Sequence, residues 1–92
     1  MAAVHLAVQG RVQGVGFRWF VRVHARRLGL GGWVANRPDG TVEIAASGEE
    51  EKLAELRSKV ARGPEGAEVS AVVDLLPIEE KLEFPFAVRK GG

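Results

Sequence analysis

The apolar residues of this chain follow a helical period in two stretches and the shorter period of strands elsewhere. In the first stretch, apolar side chains recur three or four residues apart over residues 17–28, just before Gly29. In the second, they recur with the same spacing over residues 53–60, before Gly63 and a proline. The sequence therefore predicts two amphipathic helices, each ended by a glycine.

Five other stretches have the composition of β-strands. They cover residues 4–12, 32–37, 41–45, 67–76 and 82–89. The second and third are joined by Pro38-Asp39-Gly40, which predicts a hairpin because Pro presets the turn and Gly supplies its left-handed residue. Pro85 cannot donate a hydrogen bond to a ladder, so we expect the last strand to lie at an edge of the sheet.

The order of these elements is β-α-β-β-α-β followed by a further edge strand, which predicts one α+β domain over residues 1–92. This is the order of a ferredoxin-like sandwich, in which two helices cover one face of an antiparallel sheet. Ser47 and Glu50 have the spacing of a capping box at the start of the second helix. Because this fold hosts enzymes, metal carriers and RNA-binding proteins, the function has to be inferred from the site.

The chain of 92 residues contains no cysteine, which excludes disulfides, thiolate metal sites and a cysteine nucleophile. The absence of cysteine is also typical of a reducing compartment. The sequence has no apolar run of 18 residues and no secretion signal, so we expect neither a membrane span nor export. These features together predict a cytoplasmic protein, and we expect it to be a monomer.

Charge is distributed unevenly along the chain. Residues 1–38 contain six Arg and no Asp or Glu, which gives +6, whereas the remaining residues contain seven basic and twelve acidic side chains, which gives −5. In the first helix, Arg18, Arg22 and Arg26 lie four residues apart on a face that we expect to be solvated. The positive half predicts an anionic partner, which on composition alone could be a nucleic acid, a membrane surface or a phosphorylated small molecule.

A glycine-rich segment joins the first strand to the first helix. Its residues are Gln13, Gly14, Val15, Gly16 and Phe17. Two glycines allow several N–H groups to converge, and the amino end of a helix favours an anion, so the segment could bind one phosphate. Arg18, in the first turn of the helix, could add a bidentate hydrogen bond to it. The glycines could also serve only the geometry of a strand-to-helix turn.

Asn36 ends the second predicted strand. A helical crossover makes the first two strands parallel, with another strand between them, so their carboxyl ends lie at the same end of the sheet. Two strand spacings separate these ends by about 10 Å, a gap that side chains and a phosphate can fill. Asn36 could therefore face the glycine-rich segment, or it could act only as a turn former before Pro38.

The first 38 residues offer only His5 and His24 as metal ligands of the usual kinds, and neither has the spacing of a metal site. We expect His24 at the boundary of the core, and we expect neither a metal nor a cofactor. A mechanism without a metal is therefore the remaining option. In it, hydrogen-bond donors stabilise the charge on the phosphoryl group, and an amide holds one water in line with the bond to be broken. An acyl phosphate suits this chemistry, because the parent acid of its leaving group has a pKa of about 4 and needs no general acid.

At these residues the sequence resembles the acylphosphatase family. The resemblance is carried by GRVQGVGFR at residues 10–18, GWVAN at 32–36 and PDGTV at 38–42. It implies hydrolysis of carboxyl-phosphate anhydrides to a carboxylate and inorganic phosphate, on a sandwich with a five-stranded antiparallel sheet. It also implies that Arg18 binds the phosphoryl group, that Asn36 orients the attacking water and that residues 13–17 supply backbone donors.

Two alternatives use the same fold. Residues 13–20 can be aligned with the RNP1 pattern of RNA-binding modules, but Phe17 and Phe20 are expected to point from the helix into the core. The second alternative is an accessory module that keeps the anion site without turnover, like the related domain of a carbamoyl-transfer maturation protein. Trp33 is expected to pack; Trp19, beside Arg18, could border the site, but it too is expected to pack. The expected partner is thus a small-molecule acyl phosphate, and neither a nucleic acid nor a membrane.

Overall fold

A computed structural model describes residues 2–89 of the chain, and its elements follow the predicted order. They are β1 (Ala2–Arg11), α1 (Phe17–Arg27), β2 (Gly31–Asn36), β3 (Val42–Gly48), α2 (Glu50–Arg62), β4 (Glu68–Asp74) and β5 (Ala87–Val88). The single domain over residues 1–92 stays a prediction, since Met1 and residues 90–92 lie outside the described residues.

The five strands form one sheet in the order β4-β1-β3-β2-β5. β3 pairs antiparallel with both β1 and β2, so β1 and β2 run parallel to each other on either side of it. β4 pairs antiparallel with β1. The predicted ferredoxin-like sandwich is confirmed, with one addition: β5 pairs in parallel with β2, and the sheet is therefore mixed.

Both helices pack on the same face of the sheet, where their predicted apolar stripes form the core. The helices bury Phe17, Val21, Ala25, Leu53, Leu56 and Val60. The strands contribute alternate residues to the same cluster, such as Leu6 and Val8 of β1 and Val42 and Ile44 of β3. Each large apolar side chain buried in this way stabilises the fold by about 1.5–3 kcal/mol. The apolar residues that recur with helical spacing and those that alternate along the strands are thus buried in the same core.

The opposite face of the sheet carries a second, smaller cluster. It consists of Trp33, Ala35 and Ala45, on which Ile78 and Leu82 pack. The Gly32 N–H also donates to the Glu83 carbonyl oxygen at 2.8 Å. Leu82 is therefore held against this face and Glu83 beside β2, and the fifth strand, predicted over residues 82–89, is limited to Ala87–Val88.

The capping box predicted at Ser47 and Glu50 is wrong. Ser47 lies in β3, where it pairs with Ala3 of β1 and with Gly31 of β2. The N-cap of α2 is Glu49, whose side chain makes no capping hydrogen bond. Two ladders hold the backbone of Ser47 as a strand residue, so that it is unavailable as a helix cap.

His24 lies at the boundary of the core, as predicted. Its half-buried ring stacks edge-on against Phe20, with the ring centroids 4.5 Å apart. Burial, together with the positive charges of Lys59 and Arg27, lowers the pKa of His24 below its usual value of 6.5. The folded protein therefore disfavours the protonated form of this ring.

We expect His24 to make the fold less stable in mild acid. Because its pKa is lower in the folded state, the unfolded chain binds the proton first as the pH falls through about 6.5, and the free energy of unfolding falls with it. His24→Gln, which cannot titrate, should lose less stability than the parent between about pH 7.5 and pH 5 in urea denaturation. Equal losses in both proteins would contradict this role of His24.

Candidate active site

The glycine-rich loop passes from β1 into α1 through two left-handed residues. Gly14 has a φ of 76°, and Gly16, the N-cap of α1, has a φ of 77°. A Cβ added at either position would meet nothing within 4 Å. The backbone conformation, rather than a lack of space, therefore requires glycine here.

The amino end of α1 presents unpaired N–H donors beside this loop. The first hydrogen bond of the helix runs from the Phe20 N–H to the Gly16 carbonyl at 3.0 Å. The N–H groups of Phe17, Arg18 and Trp19 precede it and so have no acceptor inside the helix. The first turn contains no acidic side chain, and Gly16 has no side chain to cap them. These donors and the helix dipole make this end of α1 a favourable place for an anion.

A pocket of about 370 Å³ opens in front of these donors. It is lined by Val12, Gly14, Gly16, Phe17, Arg18, Trp19, Arg22, Asn36 and Val88. The lining includes two guanidinium groups but neither a carboxylate nor an imidazole. A small anion with an apolar substituent therefore fits both the size and the chemistry of the pocket.

Arg18 and Asn36, which the sequence suggested on opposite sides of a gap, line the same pocket. They meet because β1 and β2 run parallel on either side of β3, so that the carboxyl ends of both strands lie at the same end of the sheet. Of the loop residues 13–17, both glycines and Phe17 line the pocket too, whereas Val15 packs against the core.

Asn36 contributes a buried acceptor to the pocket. It is the last residue of β2 and pairs with Val42 of β3. Its side-chain Oδ1 is buried and has no hydrogen-bond partner among residues 2–89. An unsatisfied buried acceptor costs about 1–3 kcal/mol, so a rotation of the side chain that brings Oδ1 to a donor in the pocket would be favourable.

The hairpin turn after Asn36 closes without the Asn36 side chain. The Gly40 N–H donates to the Arg37 carbonyl at 3.1 Å, and Asp39 Oδ1 accepts from the Thr41 N–H and hydroxyl at 3.0 and 2.6 Å. The turn predicted at Pro38-Asp39-Gly40 is therefore confirmed. It gives no support to the alternative in which Asn36 acts only as a turn former.

Gln13 ties the glycine-rich loop to this hairpin. Its side-chain Nε2 donates to the carbonyl oxygens of Arg37 and Thr41, at 2.8 and 2.9 Å. Both amide hydrogens are thus used, and the side chain of Gln13 holds the loop rather than binding an anion. The sequence predicts Gln13 only as one of the residues of the phosphate-binding loop, and no pattern in it indicates this bridge.

Trp19 does not pack, contrary to the prediction. It is 62% exposed and lines the pocket, while the Arg22 guanidinium lies over its ring at 4.6 Å from the centroid. The helical period could have shown this, because Trp19 lies off the buried stripe that contains Phe17 and Val21. Trp33, by contrast, is buried as predicted, and its Nε1 donates to Glu80 at 3.0 Å.

The arginine face of α1 is not simply solvated. Arg18 and Arg22 are half-buried and line the pocket, and of the three arginines only Arg26 is exposed. Even Arg26 donates through its Nε to the Phe86 carbonyl at 2.7 Å, which ties α1 to the segment before β5. The first two arginines of this face therefore belong to the candidate site.

Neither histidine lines the pocket. The ring nitrogens of His5 bond to Glu43 at 2.6 Å and to the Leu76 carbonyl at 2.7 Å. Over residues 2–89 no group of three His, Asp or Glu side chains is placed to hold a metal ion.

None of the helices in residues 2–89 combines the length and the apolar composition required to cross a bilayer.

Phe17 and Phe20 point into the core, as predicted. Phe17 is 1% exposed, and Phe20 packs against the core cluster at its edge. Neither ring is displayed on the surface of the sheet, where the alignment with an RNA-binding pattern requires aromatic rings for stacking on bases.

Comparison with known proteins confirms the resemblance found in the sequence. Residues 4–84 match the model of the family described as acylphosphatase. A protein of Acidiphilium cryptum that bears this name is 49% identical over 92 residues, which cover the whole of both chains. The structure of an acylphosphatase from Coxiella burnetii superposes with a TM-score of 0.86 and 40% identity, over 95% of this chain and 90% of that one.

The same fold also occurs within a much longer protein. A region of HypF from T. kodakarensis superposes with a TM-score of 0.83 and 33% identity. It covers 98% of this chain but only 12% of the HypF chain.

We expect the Gln13 bridge to stabilise the fold. Gln13→Met keeps the length of the side chain but removes both donors, while the two carbonyl oxygens keep their backbone partners. The free energy of unfolding should therefore fall by about 1–2 kcal/mol, which urea denaturation would measure. Gln9→Met, at an exposed position of β1, is the matched control. The role assigned to Gln13 is wrong if both variants are equally stable.

Proposed function

The chain belongs to the acylphosphatase family, and from this premise we propose that it hydrolyses an acyl phosphate to a carboxylate and inorganic phosphate. The observation that carries the proposal is the composition of the pocket. The N–H donors at the amino end of α1 and the Arg18 guanidinium share this pocket with Asn36, whose Oδ1 is buried without a hydrogen-bond partner among residues 2–89.

The phosphoryl group binds to the backbone N–H groups of residues 13–17, to the free N–H groups of the first turn of α1, and to Arg18. A doubly charged phosphoryl group suits these donors, because the helix dipole favours negative charge and the planar guanidinium can make two parallel hydrogen bonds. The same donors stabilise charge that spreads over the phosphoryl oxygens in the transition state.

Asn36 orients the attacking water. Its Oδ1 is a buried acceptor without a hydrogen-bond partner among the described residues, and a rotation of the side chain toward the pocket would let it accept from a water and fix that water there. A water that is already held in line with the bond that breaks loses less entropy on reaching the transition state, so the reaction is faster. Asn36 acts in this way through position alone, since an amide can neither take up nor release a proton near neutral pH.

The reaction balances without a general base or a general acid. The water oxygen attacks phosphorus as the bond from phosphorus to the carboxyl oxygen breaks, and the bonding electron pair leaves with the carboxylate. One water proton passes to a phosphoryl oxygen, so that RCO–OPO3²⁻ and H2O give RCOO⁻ and H2PO4⁻. The parent acid of the leaving group has a pKa of about 4, so the carboxylate departs unprotonated at neutral pH.

The proposed reaction uses no metal or cofactor. Neutralisation of the phosphoryl charge falls to Arg18 and the N–H donors, and the lining supplies neither a carboxylate nor an imidazole, the usual oxygen and nitrogen ligands of catalytic metals. We further propose that the protein is a cytoplasmic monomer without a nucleic-acid partner. The lack of cysteine supports the assignment to the cytoplasm, and the inward orientation of Phe17 and Phe20 supports the absence of a nucleic-acid partner.

A second candidate function is that of an anion-binding module without turnover on the same fold, which also occurs within the much longer chain of HypF. Such a module needs Arg18 and the N–H donors, but it has no use for an acceptor that orients water. The unpartnered Oδ1 of Asn36 is therefore the observation that favours hydrolysis over binding alone.

Substitution of Asn36 should separate the two candidates. In Asn36→Ala, turnover of benzoyl phosphate at neutral pH should fall by about a hundredfold or more, because the water is no longer positioned. The affinity for inorganic phosphate, measured by competitive inhibition of residual activity or by calorimetry, should change far less. Equal losses of turnover and phosphate affinity would contradict the role of Asn36.

Arg18→Ala should weaken both phosphate binding and turnover. A charge-assisted hydrogen bond contributes about 1.5–3 kcal/mol, so we expect phosphate affinity to fall by about ten- to a hundredfold. Arg27→Ala removes the same charge from an exposed site in the last turn of α1 and is the control. All assays contain a chelator. A requirement for added metal, or an Arg18→Ala variant with the activity of the parent, would overturn the mechanism.

A further inference from the structure

β5 brings a third strand end to the candidate site. It pairs in parallel with β2, so its carboxyl end lies at the same end of the sheet as those of β1 and β2. Val88, its last residue, lines the pocket together with Arg18 and Asn36. The proposed hydrolysis gives roles to Arg18 and Asn36 but none to this strand.

The pairing of β5 is too short to fix its position. The strand has two exposed residues and lies at an edge of the sheet. Its ladder consists of the pairs Trp33–Ala87 and Val34–Val88, after which the Arg89 N–H donates to the Val34 carbonyl at 2.8 Å. Exposed segments with few backbone hydrogen bonds open at little cost in free energy. The position of Val88 therefore depends on contacts outside the ladder.

Arg89 makes such contacts on the face of the sheet opposite the helices. Its guanidinium lies over the Trp33 ring, 4.5 Å from the centroid, and its Nη1 and Nη2 donate to the Glu80 carboxylate at 3.4 and 3.2 Å. Glu80 Oε1 also accepts from the Trp33 Nε1 at 3.0 Å. The three side chains form a closed triangle that joins the carboxyl end of β5 to β2 and to the segment between β4 and β5.

The contacts of the Trp33–Glu80–Arg89 triangle support one another. The hydrogen bonds from Arg89, with a smaller contribution from Trp33, lower the pKa of Glu80 below its usual value, so this carboxylate is charged at neutral pH. An exposed ion pair alone contributes little to stability. Here the same guanidinium also gains a cation–π contact with Trp33, which is buried and belongs to the second cluster.

The helix side of the same segment is held by α1. The Phe86 side chain is fully buried in the core, and its carbonyl accepts from the Arg26 Nε at 2.7 Å. These contacts fix the chain just before β5, whereas the triangle fixes it just after. Val88 lies between the two anchors, which restrict its movement relative to the pocket.

We propose that Arg89 is a positioning residue of the candidate active site, which through the triangle holds Val88 in place as a wall of the pocket. The substituent on the phosphoryl group binds against this wall. Arg89 touches no reacting atom and acts only through Val88. The inference rests on the proposed function for its kinetic test, but the same wall also contacts a ligand that is not hydrolysed.

Hydrolysis of benzoyl phosphate tests this role. Arg89→Met keeps an apolar side chain beside Trp33 but removes the guanidinium, so the wall becomes mobile. KM should rise about three- to tenfold, as the loss of apolar contact with one or two methyl groups allows. The change in kcat should be below about twofold, because a contact made equally in the ground state and the transition state affects binding alone. Arg89→Lys should recover part of the lost binding.

A second substitution shows whether Arg89 acts through Val88. Val88→Ala removes most of the wall and should itself raise KM. In the Val88→Ala background, Arg89→Met should change KM little further, because the wall that Arg89 positions is already absent.

Arg57→Met is the matched control. Arg57 also donates to both oxygens of a carboxylate, that of Asp74, at 2.8 and 3.1 Å, but it ties α2 to the end of β4 and does not line the pocket. The KM of this variant should stay within about twofold of the parent value, since only an exposed ion pair is lost. A rise as large as that in Arg89→Met would contradict the inference.

A binding measurement separates this inference from the proposed function. Calorimetry compares benzylphosphonate, which carries an apolar substituent and cannot be hydrolysed, with inorganic phosphate, which carries none. Arg89→Met should bind benzylphosphonate about three- to tenfold more weakly than the parent does, and inorganic phosphate with nearly the same affinity. This result would support the inference even if no acyl phosphate were hydrolysed, in which case only the proposed function fails.

The inference is overturned if Arg89→Met binds benzylphosphonate as tightly as the parent. It is also overturned if the variant loses affinity for both ligands equally, or if Arg89→Met raises KM by the same factor with and without Val88→Ala. In those cases Arg89 does not act through Val88, and the proposed hydrolysis stands without it.

Discussion

Antiparallel pairing of β3 with both β1 and β2 decides where the candidate site lies. Each ladder fixes the direction of one outer strand, so β1 and β2 run parallel and end at the same edge of the sheet. The loop that follows β1 and the last residue of β2 are thereby brought into one pocket, although Arg18 and Asn36 are 18 positions apart in the sequence. Neither end of these strands would form a pocket alone, because one supplies the donors and the other supplies the acceptor.

Sequence reasoning reached those parts of the molecule that depend on local patterns. The helical stripes, the hairpin turn and the glycine-rich loop are each encoded within a few neighbouring residues, and the order of elements then placed Arg18 and Asn36 together. The failures came where a distant contact competes with a local preference. Ser47 has the spacing of a cap but is held in two ladders, and Leu82 belongs to a segment of strand composition but packs on the second cluster beside Trp33.

The two halves of the chain, which differ in charge, have different roles in the fold. The pocket receives arginines from a half of the chain that contains no acidic residue, so no neighbouring carboxylate in that half competes for them. Carboxylates from the other half form ion pairs elsewhere, such as Asp74 with Arg57, whose guanidinium lowers the pKa of Asp74. A site that keeps its cations unneutralised in this way attracts anions from a distance as well as binding them.

The double hydrogen bond of Gln13 has a consequence for how the site moves. Because one amide group joins the glycine-rich loop to the hairpin that carries Asn36, a thermal displacement of the hairpin carries the loop with it. The separation between the phosphate donors and the Asn36 acceptor is therefore preserved while the edge of the sheet fluctuates. A loop that is held in place before a ligand arrives loses less conformational entropy on binding than a free loop does.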